Sequence, residues 1–219
     1  MPNLSQKLLL VFILLLVVNA AAFSNGEKIF SNNVRGVGII LSDEGQGSGT
    51  IITKSGYVLS NYHVVREAKN LEILLYGFDN YEDALFNIEL IKYNATKDLA
   101  LLKIVSPPSN LDPIKVSKVK QKVGSEVHTI GHPEGEIWSY SKGYISQYRF
   151  EYTWHYKNSE QAYSADVYQV QAPLSNGSSG GPLLNKSGNL IGINTFGSKK
   201  TNGVNFSITV EEIIGFLLE

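Results

Sequence analysis

Asn176-Gly177-Ser178-Ser179-Gly180-Gly181-Pro182-Leu183 is the stretch on which the reading of this chain turns. A serine that attacks a carbonyl needs its Oγ exposed on a tight turn, with backbone N–H groups aimed at the oxygen that becomes negative. Gly177 before Ser179 and two glycines after it allow such a turn, because side chains there would block the amides. A G-x-S-G-G-P run is far more specific than G-x-S-x-G. A Gly/Ser-rich surface turn would explain the composition of this stretch, but not what lies upstream of it.

His63 closes the apolar strand pattern Tyr57-Val58-Leu59-Ser60-Asn61-Tyr62-His63-Val64-Val65. Asp98 opens another, Thr96-Lys97-Asp98-Leu99-Ala100-Leu101-Leu102-Lys103-Ile104. Taken singly, His63 reads as a satisfied core histidine and Asp98 as a strand cap. Together with the Ser179 turn they read as a catalytic triad, and the order His, Asp, Ser is that of two-barrel proteases. Ser179 Oγ would attack, His63 would take and return the proton, and Asp98 would hold the imidazole tautomer. The N–H groups of Gly177 and Ser179 would form the oxyanion hole.

With these residues the chain resembles chymotrypsin-fold serine proteases, and among them the HtrA/Deg branch. The likeness also rests on Gly45-Gln46-Gly47-Ser48-Gly49-Thr50-Ile51-Ile52, Ile130-Gly131-His132-Pro133 and Asn189-Leu190-Ile191-Gly192-Ile193-Asn194-Thr195. It implies an all-β protein of two six-stranded antiparallel β-barrels with a C-terminal helix, the first barrel over about 30–112 and the second over about 113–219. It places Thr195 beside the buried aspartate, and Phe196 and Gly197 along an extended substrate backbone. It puts Pro173, Leu174 and Ser175 at the base of the pocket for the residue before the scissile bond, with Gly197 and Gly203 on its walls. No acidic residue stands at that base, and Asn194 replaces the histidine of glutamyl-specific relatives, so an apolar preference is expected. Ser178 stands where chymotrypsin carries an aspartate, which argues against zymogen control by that salt bridge. Most HtrA proteins continue into a PDZ domain; here the expected terminal helix runs to Glu219, so peptide gating by such a module is not expected within this chain.

Composition is consistent with this. The 219 residues carry a formal charge of −1, without the basic excess of a nucleic-acid binder. At 43% hydrophobic the chain can bury two small barrels. Lys7, the apolar run 8–18 and Asn19-Ala20-Ala21-Ala22 read as a cleavable secretory signal over residues 1–22, leaving 23–219 as the protease domain with no stable membrane span. The chain has no cysteine, so disulfides, a cysteine nucleophile and thiolate metal sites are excluded. A glycan at Asn94-Ala95-Thr96 or Asn176-Gly177-Ser178 would crowd the proposed site. Both observations favour a periplasmic or secreted protein of a bacterial envelope. Expected partners are protein or peptide substrates, with no nucleic acid and no cofactor; a homo-oligomer is left open. A catalytically silent chaperone or adaptor using the same fold is the alternative, and the intact triad argues against it.

Strand composition recurs at 37–41, 48–53, 71–76, 86–93, 100–105, 126–130, 142–146, 190–194 and 204–208. Thr209-Val210-Glu211-Glu212 reads as a capping box for the last helix. Tyr148, Phe150, Tyr152, Trp154 and Tyr156 alternate with polar residues, predicting a strand with one aromatic face, a turn at 157–161 and a return over 163–171. That face either caps the second barrel or docks substrate or a second subunit. His128 and His132 have helical ligand spacing on a strand-then-turn segment, so their rings should not converge on a metal. The lysines within 115–122 read as a solvated loop.

Overall fold

Successive side chains of a strand point to opposite faces, and the described residues form twelve strands that use this to build two cores. The computed structural model describes residues 25–156, 161–197 and 203–219. The first six strands are β1 (Val37–Ser42), β2 (Gly45–Ile51), β3 (Tyr57–Ser60), β4 (Leu71–Leu74), β5 (Leu85–Asn94) and β6 (Leu99–Ile104). They close into an antiparallel barrel in the order β1-β2-β3-β6-β5-β4. The second barrel contains β7 (Glu126–Gly131), β8 (Ser139–His155), β9 (Ala162–Val170), β10 (Pro182–Asn185), β11 (Leu190–Gly197) and β12 (Asn205–Thr209), in the order β10-β11-β12-β9-β8-β7. The last helix, Val210–Leu218, follows directly. The two barrels and helix expected from the resemblance are what the chain forms.

β6 shows how the period builds both a core and an interface. Ala100, Leu102 and Ile104 face the first barrel's interior with Ile40, Ile51, Val58 and Ile73. Leu99 and the half-buried Leu101 belong instead to the core cluster containing Leu184, Ile193 and Ile208 of the second barrel. The barrels therefore meet along the strand that begins immediately after Asp98. The crossing segment ties them together: Ile114 N–H donates to the Ile51 carbonyl at 2.8 Å, and Ser117 N–H to the Leu190 carbonyl at 2.8 Å. The N-terminal helix Asn25–Asn33, although it precedes the first barrel, buries Ile29 in the second barrel's core.

The aromatic alternation in β8 is interrupted. Pairing with β9 shifts register between Arg149 and Tyr152, where Glu151 adopts φ 44°. Asp166 pins this bulge by accepting from Glu151 N–H at 2.9 Å and from the Tyr148 hydroxyl. Phe150 is left 70% exposed, whereas Trp154 is 6% exposed and stacks on Phe196 with ring centroids 4.7 Å apart. Tyr152 stacks on Phe206 at 5.0 Å, which in turn lies 4.5 Å from Phe196. From Tyr152 onward, then, the face caps the second barrel.

The capping box is not formed. Thr209 occupies the N-cap without a side-chain cap bond, and its Oγ1 has no partner among the described residues. Glu212 is drawn off the helix: it accepts from Asp166 N–H at 2.9 Å and pairs with Lys97 at 2.8 Å. The secretory-signal reading of residues 1–22 and most of the turn at 157–161 lie outside the described residues. Among the described residues no helix is long and apolar enough to cross a membrane.

Truncating Trp154 to alanine should cost about 3–5 kcal/mol, since it empties the centre of a packed ring stack. Phe150→Ser should change stability by less than about 0.5 kcal/mol. Denaturant unfolding of the two variants checks the contrast, and equal effects would contradict this packing.

Candidate active site

The site lies where the barrels meet. β3 runs into Asn61 and the single helical turn Tyr62–Val65, which carries His63. Asp98 sits between β5 and β6 at φ 57°, a left-handed conformation that aspartate tolerates better than most residues. Its carbonyl accepts from Asn61 Nδ2 at 3.0 Å and from Tyr62 N–H at 3.2 Å, fixing the two segments against each other. Its carboxylate is fully buried. Oδ1 accepts from His63 N–H at 2.9 Å, and Oδ2 lies 2.8 Å from His63 Nδ1. With Nδ1 as the donor, the imidazole is the tautomer whose Nε2 lone pair is free to take a proton.

Oδ2 accepts two further hydroxyls. Thr195 Oγ1 donates at 2.8 Å, as the resemblance implied, and the Tyr156 hydroxyl donates at 3.0 Å. The Tyr156 ring also lies over His63, with centroids 4.3 Å apart and planes at 41°. Burial, and then the charge of Asp98, push the Tyr156 phenol well above its ordinary value, so it stays protonated. The sequence placed Tyr156 in the aromatic alternation and showed nothing of its meeting with Asp98.

Ser179 lies on the turn before β10. Gly177 and Gly180 have φ of 92° and 88°, and a Cβ on either would sit 2.2 Å from the His132 carbonyl oxygen or 2.0 Å from that of Ser48. The turn is braced from two sides: Ser48 Oγ donates to the Gly177 carbonyl at 2.7 Å, and Glu134 N–H to the Asn176 carbonyl at 2.7 Å. A trans peptide points its N–H opposite its carbonyl, so the Glu134 bond aims Gly177 N–H away from the bracing loop. The N–H groups of Ser178, Gly180 and Gly181 all have backbone partners. Those of Gly177 and Ser179 have none among the described residues. The Ser179 hydroxyl itself donates to the Thr195 carbonyl at 2.8 Å.

A cavity of ≈ 780 Å³ opens beside these groups, lined by His63 and Ser179 and by Leu174, Ser175, Thr195, Phe196 and Gly197 of the expected substrate residues. Pro173 and Gly203 do not line it; Asn194, Asn205 and the exposed Glu134 and His155 do. Asn194 is held by Thr129 and Ser207, and Asn205 by the Ala172 carbonyl. His128 and His132 turn to separate partners, Tyr140 and Trp138 N–H. No cluster able to hold a metal ion occurs among the described residues.

Residues 47–193 match the model of the trypsin-like peptidase domain. The chain belongs to the trypsin-like peptidase family. Its relatives are HtrA/Deg proteases. It is 36% identical over 178 residues to Protease Do-like 1, chloroplastic, of Arabidopsis thaliana, covering 80% of this chain and 39% of that protein. It is 36% identical over 180 residues to the periplasmic pH-dependent serine endoprotease DegQ of Escherichia coli, covering 78% of this chain and 37% of that protein. The chain thus spans less than two fifths of either relative's length. The active form of the Rv3671c protease from M. tuberculosis shares the fold, with a TM-score of 0.76 at 22% identity over 87% of this chain and 82% of that one.

On this trypsin-like domain the loop that braces the nucleophile turn carries His132, fully buried, with Nδ1 accepting Trp138 N–H at 3.0 Å. Burial lowers its imidazole from 6.5 to about 4. Between those values the unfolded chain binds a proton that the folded chain refuses, so stability is full above pH 6.5 and falls as the pH drops toward 4. The loss amounts to about 3 kcal/mol at most. His132→Asn, whose amide oxygen can accept the same N–H, should flatten the stability curve across this window, with the buried His128 common to both proteins. Denaturant unfolding at several pH values checks this; identical slopes would contradict it.

Proposed function

We propose that this chain is a serine endopeptidase in which Ser179 is the nucleophile, His63 the general base and acid, and Asp98 the group that orients His63. The observation that carries the reading is the pairing of an Asp98–His63 dyad with two unpartnered N–H groups, Gly177 and Ser179, at the serine turn. Unpartnered amides beside the nucleophile are what a developing oxyanion requires, and losing one such donor typically costs about 10²–10³ in rate. In this structure the Ser179 hydroxyl rests on the Thr195 carbonyl. Attack requires it to turn toward His63 Nε2, a change between staggered rotamers. An extended substrate laid along Thr195, Phe196 and Gly197 would bring its own N–H groups to that strand and compete for the same carbonyl.

The substrates we propose are unfolded or misfolded exported proteins, cut after apolar residues. The cavity's ionisable lining residues other than His63, namely Glu134 and His155, are both exposed, with Tyr156 held neutral. A charged side chain entering it would lose water without gaining a buried counter-charge. Leu174 and Phe196 favour an apolar one, though a single methylene is worth only about 1–3 kcal/mol of discrimination. We further propose export to a bacterial envelope on a cleaved signal at residues 1–22. The apolar N-terminal run, the absence of cysteine and the periplasmic relative support this location.

Ser179→Ala should reduce cleavage of denatured casein by at least about 10⁴-fold while leaving thermal unfolding unchanged. Sequencing of the wild-type products should show apolar residues before the cut. A Ser179→Ala protein that cleaves at the wild-type rate would overturn the nucleophile, and a dominant Arg, Lys, Asp or Glu before the cut would overturn the pocket reading.

A further inference from the structure

We propose that Tyr156 is a positioning residue of the triad, its hydroxyl sharing the Asp98 charge and its ring seating His63, so that it sets how firmly the imidazolium is held. The proposal rests on the serine-peptidase reading of this site. Three donors converge on Asp98 Oδ2: His63 Nδ1 at 2.8 Å, Thr195 Oγ1 at 2.8 Å and the Tyr156 hydroxyl at 3.0 Å. Tyr156 and Thr195 are themselves 2.9 Å apart. A buried carboxylate spreads its charge over the donors it accepts, so each added hydroxyl weakens its hold on the proton-bearing imidazole.

Tyr156 is not a side chain that happens to reach the site. The return strand of its hairpin is fastened to the turn that carries Asp98: Gln161 Nε2 donates to the Ala95 carbonyl at 2.9 Å, and Ser164 N–H to the Thr96 carbonyl at 2.8 Å. Tyr163 meets the Tyr156 ring edge-on at 5.1 Å, and its hydroxyl accepts from Arg66 Nη1 at 2.8 Å, just beyond the helical turn of His63. The second barrel thus delivers one phenol to the first barrel's carboxylate and histidine together. Among the described residues Asp98 and Tyr156 are the ionisable groups bonded to or stacked on His63. Glu134 and His155 line the same cavity and are exposed, and Arg66 is engaged by Glu67 and Tyr163.

Removing the hydroxyl while keeping the ring should leave Asp98 holding the imidazolium more strongly. In the full chain labelled with ¹³Cε1-histidine, with His63 assigned by His63→Gln, Tyr156→Phe should raise the His63 titration midpoint by about half a pH unit or more. The acid limb of kcat/KM should move with it, so that activity at acidic pH drops by about threefold relative to the variant's own alkaline plateau. An unchanged His63 midpoint would overturn the proposal. Should the phenylalanine variant not fold, 3,5-difluorotyrosine at position 156 keeps ring and hydroxyl and donates more strongly; the midpoint must then fall, and a constant or raised one overturns the proposal. The titration needs no substrate. If the wild-type protein showed no peptidase activity, the serine-peptidase reading would fail on that ground, and the midpoints would still decide whether Tyr156 governs His63.

Discussion

A fully buried carboxylate has to be met by donors, and Asp98 is that carboxylate. Left buried without them it would cost about 3–5 kcal/mol, a large share of the stability of a domain this size. Its donors come from both barrels: His63 through backbone and ring from the first, Thr195 and Tyr156 from the second. Neither barrel alone can satisfy it. The docking of the barrels and the assembly of the proposed triad are therefore one event, and Leu59 and Leu99 in the second barrel's core cluster supply the apolar area that drives it.

The serine turn depends on the same interface. Ser48 on β2 of the first barrel donates through its Oγ to the Gly177 carbonyl, and through its N–H to the Ser179 carbonyl at 2.7 Å. Thr50 on the same strand donates to the Gly180 carbonyl at 3.0 Å. With the carbonyls of Asn176, Gly177, Ser179 and Gly180 all engaged, the peptide planes are fixed and two N–H groups are left over. The proposed oxyanion hole would then be the remainder of a backbone hydrogen-bond account in which most other groups of the turn are used.

The two barrels were legible through the resemblance that short local motifs carry, and the His63, Asp98 and Ser179 segments singled out by those motifs as a proposed triad lie together where the barrels meet. What was not legible depends on pairs distant in the chain. The bulge at Glu151 shifts the aromatic alternation so that Phe150 faces solvent while Tyr152 and Trp154 turn inward, and alternation alone gives no sign of an inserted residue. Tyr156 meets Asp98 across 58 residues of chain. Glu212 left its expected cap because Lys97 and the Asp166 amide offered better partners. Pro173 was expected at the base of the pocket and Gly203 on its wall, yet neither lines the cavity, whereas Asn194 and Asn205 join the expected Leu174, Ser175, Thr195, Phe196 and Gly197 in doing so.

The central claim is that this assembly activates one serine among many. Labelling the wild-type chain with a serine-directed fluorophosphonate, followed by peptide mass spectrometry, tests it most directly. The account predicts a stoichiometric adduct on Ser179, its rate falling by about 10⁴-fold in Asp98→Asn, where the wrong imidazole tautomer is held. A wild-type protein that stays unlabelled, or an adduct on another serine, would contradict it.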